Sequence, residues 1–332
     1  MKVSVVVAVY NSEQFLRPCM EGLKAQTFKD FETILVVDSR SRDDSVTVAE
    51  MLAPLYDGTK VVIQNDDCRA GGARNIGIDA SRGDYIWFLD VDDCFSDCFI
   101  EEMVKIAEEN AADVAVCNFY YSRKGKHVGG YDKPNKVYCH DNEQAMIELN
   151  TGRYSTNLFN KLIRSSMIKD NGIRMSPRYC EDYQFLAECF KTPCKVAYCT
   201  RPMYTYILSE GTRSSGEGNR IAEEDIRIFG ETIQWAETSG FHDIKRLYNS
   251  GLTHVLRSLT NVDRGCYNDL IKSKTIMDAS TKCGWSSKEI ILFKISKSLF
   301  YRLGAKARKR KFSSDGFLFD SEARISGTAG CR

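Results

Sequence analysis

The chain has 332 residues, 43% of them hydrophobic and 27% charged, with a formal net charge of +1. That is enough apolar material for one large domain or two modest ones, and the balanced charge points to no nucleic-acid partner. The 13 cysteines are an odd, scattered set. Among them Cys189, Cys194 and Cys199 lack the paired spacing and nearby histidine of a zinc site. No run of 18 apolar residues predicts a membrane-spanning helix.

Met1–Lys2 leads directly into an apolar run too short for a secretory leader with its cleavage site. The expected setting is therefore cytoplasmic, with reduced cysteines. Val3–Tyr10 reads as a buried parallel strand. Ser12 is a candidate N-cap, and Phe15, Leu16, Cys19, Met20 and Leu23 fall on one helical face. A second strand, Phe31–Val37, ends at Asp38. A helix with Val46, Ala49 and Leu52 at helical spacing follows, then a third strand, Val61–Gln64. Ala70-Gly71-Gly72 opens a helix over Ala73–Ala80, whose start could face an anion. Gly-Gly serves close helix-on-strand packing equally well.

The most informative stretch is Asp84-Tyr-Ile-Trp-Phe-Leu-Asp-Val-Asp-Asp93. An apolar strand ends in Asp90, Asp92 and Asp93, and the carboxyl ends of strands carry the chemistry in open α/β sheets. Asp90 and Asp92 could approach one divalent cation, Mg²⁺ or Mn²⁺, bridging to phosphates. A merely solvated acidic loop reads the same way. The βαβαβ alternation predicts a parallel, doubly wound sheet.

Ile100, Met103, Val104 and Ala107 predict another amphipathic helix, Val114–Tyr120 a strand, and residues 122–140 an irregular excursion at the sheet edge. Glu143–Leu149 reads as a short helix. Asn160-Lys161-Leu162-Ile163 precedes one helix. Glu181 and Asp182 stand at the start of another, where carboxylates commonly cap. Met203–Ile207 reads as a last short strand, residues 209–220 as a Gly/Ser-rich lid or linker, and Ile221 to about Gly284 as helical. Over 286–312 apolar residues alternate with Lys294, Lys297 and Arg302 and run into Lys306, Arg308, Lys309, Arg310 and Lys311. That pattern predicts an amphipathic helix on an anionic membrane surface through 288–311. Residues 313–332 read as a disordered tail.

Taken in order, Val3-Ser-Val-Val-Val-Ala-Val-Tyr-Asn11, Gln26-Thr-Phe-Lys-Asp-Phe-Glu32, Val36-Val37-Asp38, Ala73-Arg-Asn-Ile-Gly77, Gly83–Asp93 and Glu181-Asp182 resemble the family 2 glycosyltransferases of bacterial surface-polysaccharide type. The resemblance covers about residues 1–210 and implies a GT-A fold: a Rossmann-like, mainly parallel sheet flanked by helices. A helical region over 211–285 would follow it.

The resemblance implies a nucleotide-sugar donor, with uridine diphosphate the most frequent carrier. It places Val9, Tyr10, Asp38, Ser39, Arg74 and Asp90 around the donor. Asp92, with Asp90, would hold the metal as the D-x-D motif. Asp182 matches the catalytic base and would be ionised before reaction. Glu13 and Glu181 would support the site. The product would be inverted, and the acceptor a hydroxyl of a glycan or lipid-linked molecule on the cytoplasmic membrane face.

The chain departs from the family where two aspartates are usual. Ser39 follows Asp38, and Arg40 and Arg42 could meet phosphate or be solvated. Asp67 and Arg69 stand where asparagine and glycine are common. Two other readings compete: an aspartyl-nucleophile phosphatase, suggested by Phe-Leu-Asp90-Val-Asp92, and a nonenzymatic nucleotide- or glycan-binding protein, suggested by Ser39.

Overall fold

A computed structural model describes residues 1–66, 69–123, 125–129, 135–208, 217–259 and 262–283. Asp67, most of the predicted lid, the predicted membrane helix over 286–312 and the predicted tail over 313–332 lie outside these residues.

The first ninety residues form strictly alternating elements. These are β1 (Val3–Val9), α1 (Glu13–Ala25), β2 (Phe31–Asp38), α2 (Ser45–Leu52), β3 (Thr59–Gln64), α3 (Arg69–Ala80) and β4 (Tyr85–Asp90). The strands lie in the order β3-β2-β1-β4, all parallel. The order turns back at β1, so a crevice opens between the carboxyl ends of β1 and β4, where α/β sheets bind ligands. Ala8 is in register with Asp90 and Val9 with Val37, so these strands end at one edge.

The continuous apolar strands are explained by helices on both faces. Val3, Val5, Val7 and Val9 point into one core with Leu16, Met20, Leu23, Ala49 and Leu52. Val6 points into the other with Ala73, Ile78, Phe185 and Leu186. In β4, Tyr85, Trp87 and Leu89 face the first core, and Ile86 and Phe88 the second.

Past β4 come β5 (Cys94–Phe95), α4 (Phe99–Glu109), β6 (Val114–Arg123), β7 (Lys126–Gly129), β8 (Val137–Asp141), α5 (Asn142–Thr151), β9 (Lys161–Arg164), α6 (Ser165–Asp170), α7 (Glu181–Lys191) and β10 (Lys195–Ile207). The sheet continues β4-β9-β6-β10-β5, with β7 on β6 and β8 on β10. β9 runs antiparallel to both its neighbours, and β5, β7 and β8 are antiparallel as well. The whole sheet is therefore mixed: the four strands of the first ninety residues are parallel, and β6 and β10 form a further parallel pair.

Three local expectations are corrected. The region read as irregular over 122–140 contains β7 and β8. The last strand begins at Lys195 rather than Met203. Pro202, which cannot donate to a ladder, hides its length in sequence and is absorbed by register shifts on either side. Ser12 occupies the N-cap position of α1 without capping it; its hydroxyl donates to the Tyr10 carbonyl.

Among the described residues four helices follow: α8 (Gly218–Ser239), α9 (Ile244–Ser258), α10 (Arg264–Leu270) and α11 (Lys274–Lys282). They share a core with α5 and α7 through Ala222, Phe229, Leu247, Leu252 and Val255.

Gly77 sets how closely α3 lies on β1. A Cβ there would stand 2.2 Å from Val6 Cγ1, too close for a well-packed core to absorb without strain. Gly77→Ala is expected to lower stability by about 1–3 kcal/mol in a denaturant melt; an unchanged midpoint would mean that α3 withdraws freely.

Candidate active site

The site is built on the buried guanidinium of Arg74, on the second turn of α3. Its Nη2 donates to Asp90 Oδ1 at 2.9 Å, and its Nη1 donates to Asp182 Oδ1 at 2.9 Å. Glu181 Oε1 lies 3.6 Å from the same Nη1. Three predicted site residues, 108 positions apart in sequence between Arg74 and Asp182, thus meet around one cation. A buried charge is tolerable only when paired. Here the three carboxylates are like charges, and the guanidinium makes their proximity possible.

The segment Ala73–Gly77 divides this labour by helical position. Ala73 faces the core. Asn75 holds the chain before α7 by a reciprocal pair, Nδ2 to the Met175 carbonyl and Met175 N to Oδ1, both at 2.9 Å. Gly71 also serves packing: a Cβ there would be 2.8 Å from the Ser176 carbonyl. Arg69 opens α3 at φ 55°, a backbone region where glycine is unstrained; its guanidinium lies 4.6 Å from the Tyr179 ring centre.

Glu181 and Asp182 do not cap α7. The N-cap position is Cys180, at φ 58°, with no side-chain cap. Burial pushes Asp182 up, to about 7, against the pull of Arg74, with Glu181 and Asp90 adding to the rise. Its place at the start of α7 favours ionisation, but desolvation and two like charges outweigh that and raise the pKa.

At the end of β4, Asp90 and Asp92 are half-buried, whereas Asp93 is buried. Asp93 accepts from the Tyr204 hydroxyl at 2.8 Å and from the Ile207 amide at 2.7 Å. It therefore ties the D-x-D corner to the end of β10. Burial and the neighbouring Asp90 push its pKa up to about 8, which those two donors oppose.

Val9 is buried and Tyr10 half-buried at the end of β1, beside Asp38 at the end of β2. Asp38 is engaged: Arg40 donates Nε to Oδ1 at 2.9 Å, Nη2 to Oδ2, and its backbone N to Oδ1 at 2.9 Å. The Arg40 side chain is exposed, and it folds back onto Asp38. Ser39 is exposed, and its amide donates to the Gln64 carbonyl. Glu13 is the first residue of α1. Its amide donates to Asp43 and its carboxylate accepts from the Asp44 amide, so it fastens the loop after β1 to the loop after β2.

Lys161, at the start of β9, was not expected to have a role. It is fully buried, and its Nζ donates to the Ser155 and Asn157 carbonyls at 2.6 Å each and to Asn160 Oδ1 at 2.9 Å. Burial lowers its pKa to about 7, while the charge of Asp182 acts the other way. A lysine set just ahead of the apolar pair Leu162-Ile163 is the cue that could have marked it.

Arg74→Lys replaces two fixed forks with one point charge. It is expected to keep the fold yet loosen the cluster, lowering the melting midpoint and turnover together. Arg74→Ala leaves three carboxylates without their cation and should cost about 3–5 kcal/mol. Wild-type melts for both variants would show that the cluster is not structural.

The family model described as Glycosyl transferase family 2 matches residues 4–170, from β1 to the end of α6. EpsH of Bacillus subtilis (strain 168), named as a glycosyltransferase, is 32% identical over 239 residues, covering 68% of this chain and 67% of EpsH. The next two curated relatives are matched over 31% and 60% of their own lengths. In fold, the chain resembles S. aureus TarS 1–349 solved with UDP-GlcNAc, with TM-score 0.62, 18% identity and 92% of each chain covered. It also resembles the mannosyltransferase PcManGT from Pyrobaculum calidifontis solved with GDP-Man and Mn²⁺, with TM-score 0.52, 10% identity, and 94% of this chain and 87% of that one covered. With its switch-point crevice, its acidic strand end and this family match, the chain belongs to glycosyltransferase family 2 and has a GT-A-like fold.

Proposed function

We propose that the chain transfers a sugar from a nucleoside-diphosphate sugar, a UDP-sugar, to a hydroxyl of a glycan or lipid-linked acceptor, with inversion, in the synthesis of a surface polysaccharide or glycolipid. The observation that carries this reading is the shared cation. Arg74 holds Asp182 and Asp90 at one edge of the sheet, so a proton acceptor and the donor-binding corner face the same crevice. Transfer to a hydroxyl needs a base for its proton. A single base opposite the leaving group gives one displacement and inversion, as in inverting glycosidases.

Asp182 is that base in this reading. Its raised pKa, near 7, makes it a stronger proton acceptor than an ordinary carboxylate while leaving it substantially ionised at neutral pH. Val9, Tyr10, Asp38 and Ser39 line the nucleotide side. Arg40, clamped on Asp38, replaces the second aspartate of relatives as the group that tunes that side. Asp90 and Asp92 offer oxygen ligands only, on half-buried side chains. That donor set fits a Mn²⁺ or Mg²⁺ ion that enters with the diphosphate, since such ions take one or two carboxylates plus phosphate oxygens and water. When bound, the ion would stabilise charge on the departing diphosphate. The basic, amphipathic 286–312 segment supports an acceptor presented at an anionic membrane surface, with the enzyme peripheral on its cytoplasmic side.

The direct test is a thermal-shift screen of uridine, guanosine, adenosine and thymidine diphosphates, each with and without Mn²⁺. Ligand at 100 times its dissociation constant stabilises a fold by about 2.7 kcal/mol. A Mn²⁺-dependent shift with UDP, lost in Asp92→Ala, is expected; no shift with any nucleotide would overturn the reading.

Asp182→Asn should retain the UDP shift and lower turnover by about 10²–10⁴-fold. In the wild type, the reactive form of Asp182 is the ionised one and its pKa is raised. Therefore kcat/KM should fall as pH drops through about 7, rather than near pH 4. A profile flat down to pH 5 would remove Asp182 as the base.

A further inference from the structure

The carboxyl edge of the sheet extends beyond the crevice at β1 and β4. Across β4 from the nucleotide side lie β6 and β10, and their aromatic side chains take no part in the proposed reaction. The two strands are parallel, with Tyr204 in register with Phe119 and Tyr206 with Tyr121. Side chains two apart on a strand share a face, so these rings form one array. Phe159, just before β9, completes it. Its ring stacks on Tyr204 at 4.4 Å and on Tyr206 at 5.3 Å, and stands at a right angle to Phe119 at 4.9 Å.

The array is held rigidly. The Phe159 carbonyl accepts from the buried Trp87 Nε1 at 2.7 Å. Lys161 fixes the chain on either side of Phe159 through the Ser155 and Asn157 carbonyls and Asn160 Oδ1. The Tyr204 hydroxyl donates to Asp93.

Register sets the array beside the acidic corner. β5 runs antiparallel to β10, with Cys94 opposite Thr205. Two residues further along β10, the Ile207 amide donates to Asp93. Tyr206, between them, is therefore level with Asp93. Burial and the charges of Asp93, Asp90 and Asp92 push its pKa up to about 12. Tyr121 stands at the outer end of the row. It meets Phe119 at 65° and Tyr206 at 79°, and 38% of it is exposed. A lone exposed tyrosine is ordinary. This one ends a fixed row that starts at the D-x-D corner.

We propose that Tyr121, backed by Tyr206, determines acceptor specificity by stacking on the apolar C–H face of a pyranose ring in the acceptor glycan. A pyranose has such a face and a rim of hydroxyls. A tyrosine offers an apolar ring with a polar tip, and one held in place loses little entropy on binding. An acyl chain would match the rings but not the phenol hydroxyls and the carboxylates at the inner end of the row. Val9, Tyr10 and Asp38 lie on the other side of β4, which leaves this side to the acceptor. That assignment rests on the glycosyltransferase reading, and the experiment separates the two.

The full-length chain, with UDP and Mn²⁺ present to occupy the donor crevice, would be mixed in turn with four probes. These are methyl β-D-glucopyranoside, methyl β-D-galactopyranoside, methyl N-acetyl-β-D-glucosaminide and n-octyl β-D-glucopyranoside, each read by saturation-transfer NMR. At least one methyl glycoside should bind, with saturation strongest on the C–H protons of one ring face. Binding should weaken roughly tenfold in Tyr121→Ala, the scale of one lost aromatic contact. It should weaken likewise in Tyr121→Leu, which keeps apolar bulk without the ring, and persist in Tyr121→Phe, which keeps the ring. All three variants should retain the wild-type melting midpoint and the UDP-dependent shift, which reports that they are folded. Three results would overturn the proposal: no methyl glycoside binds; binding is unchanged in both Tyr121→Ala and Tyr121→Leu; or only the octyl chain is saturated, which makes the row a lipid contact. Glycoside binding that meets the variant criteria in a protein with no nucleotide shift would uphold the stacking site while defeating the donor reading. A nucleotide shift without glycoside binding would do the reverse.

Discussion

The buried guanidinium of Arg74 is the constraint on which the site depends. Three carboxylates, Asp90, Glu181 and Asp182, approach it from the end of β4 and the start of α7. Without a cation between them they would repel one another in a poorly solvated place. Breaking such a cluster is far more costly than its net contribution to stability, because the remaining charges stay buried. The cluster therefore acts less as a source of stability than as a ruler, fixing where the first turn of α7 lies relative to the acidic strand end.

The rest of the framework serves that ruler. Gly77 lets α3 approach β1, and Asn75 ties down the chain that leads into α7. At the opposite, amino end of the sheet, Glu32 is wholly buried. It accepts from the Ser4 hydroxyl, the Arg82 amide, the Arg82 side chain and Lys60. Burial works against its charge, but these donors prevail and hold its pKa below the usual value. At that edge the buried carboxylate is closed off by its donors. The other edge keeps half-buried carboxylates facing the crevice. The loops above β1 and β2 are joined by Ser12 to Ser45 and by the exchange between Glu13 and Asp43–Asp44, which makes that crevice a fixed wall.

The described C-terminal helices are not an appendage. They share a core with α5 and α7, and they bring His254 against Tyr183 and the Ile221 carbonyl against the Cys180 thiol. Any change in their packing reaches the first turn of α7 within one or two residues of Asp182. This gives a third of the chain without recognisable motifs a physical route to the chemistry.

Sequence by itself determined the alternation of the first ninety residues, the two-sided burial of their strands, and the acidic end of β4. Each is a local matter: an apolar run of strand length, a helical period, a carboxylate at a strand end. It also singled out Arg74, Asp90, Asp92 and Asp182, because ordered motifs survive in one dimension. Only the tertiary structure decided what those residues meet. The sharing of Arg74 by Asp90 and Asp182, the antiparallel insertion of β9 and the seating of His254 against Tyr183 all depend on how elements pack. The raised pKa of Asp182 is the clearest case. Its position at a helix start argues for easy ionisation, whereas burial and two neighbouring carboxylates argue against it. Desolvation is a property of the surrounding fold, and no stretch of sequence carries it.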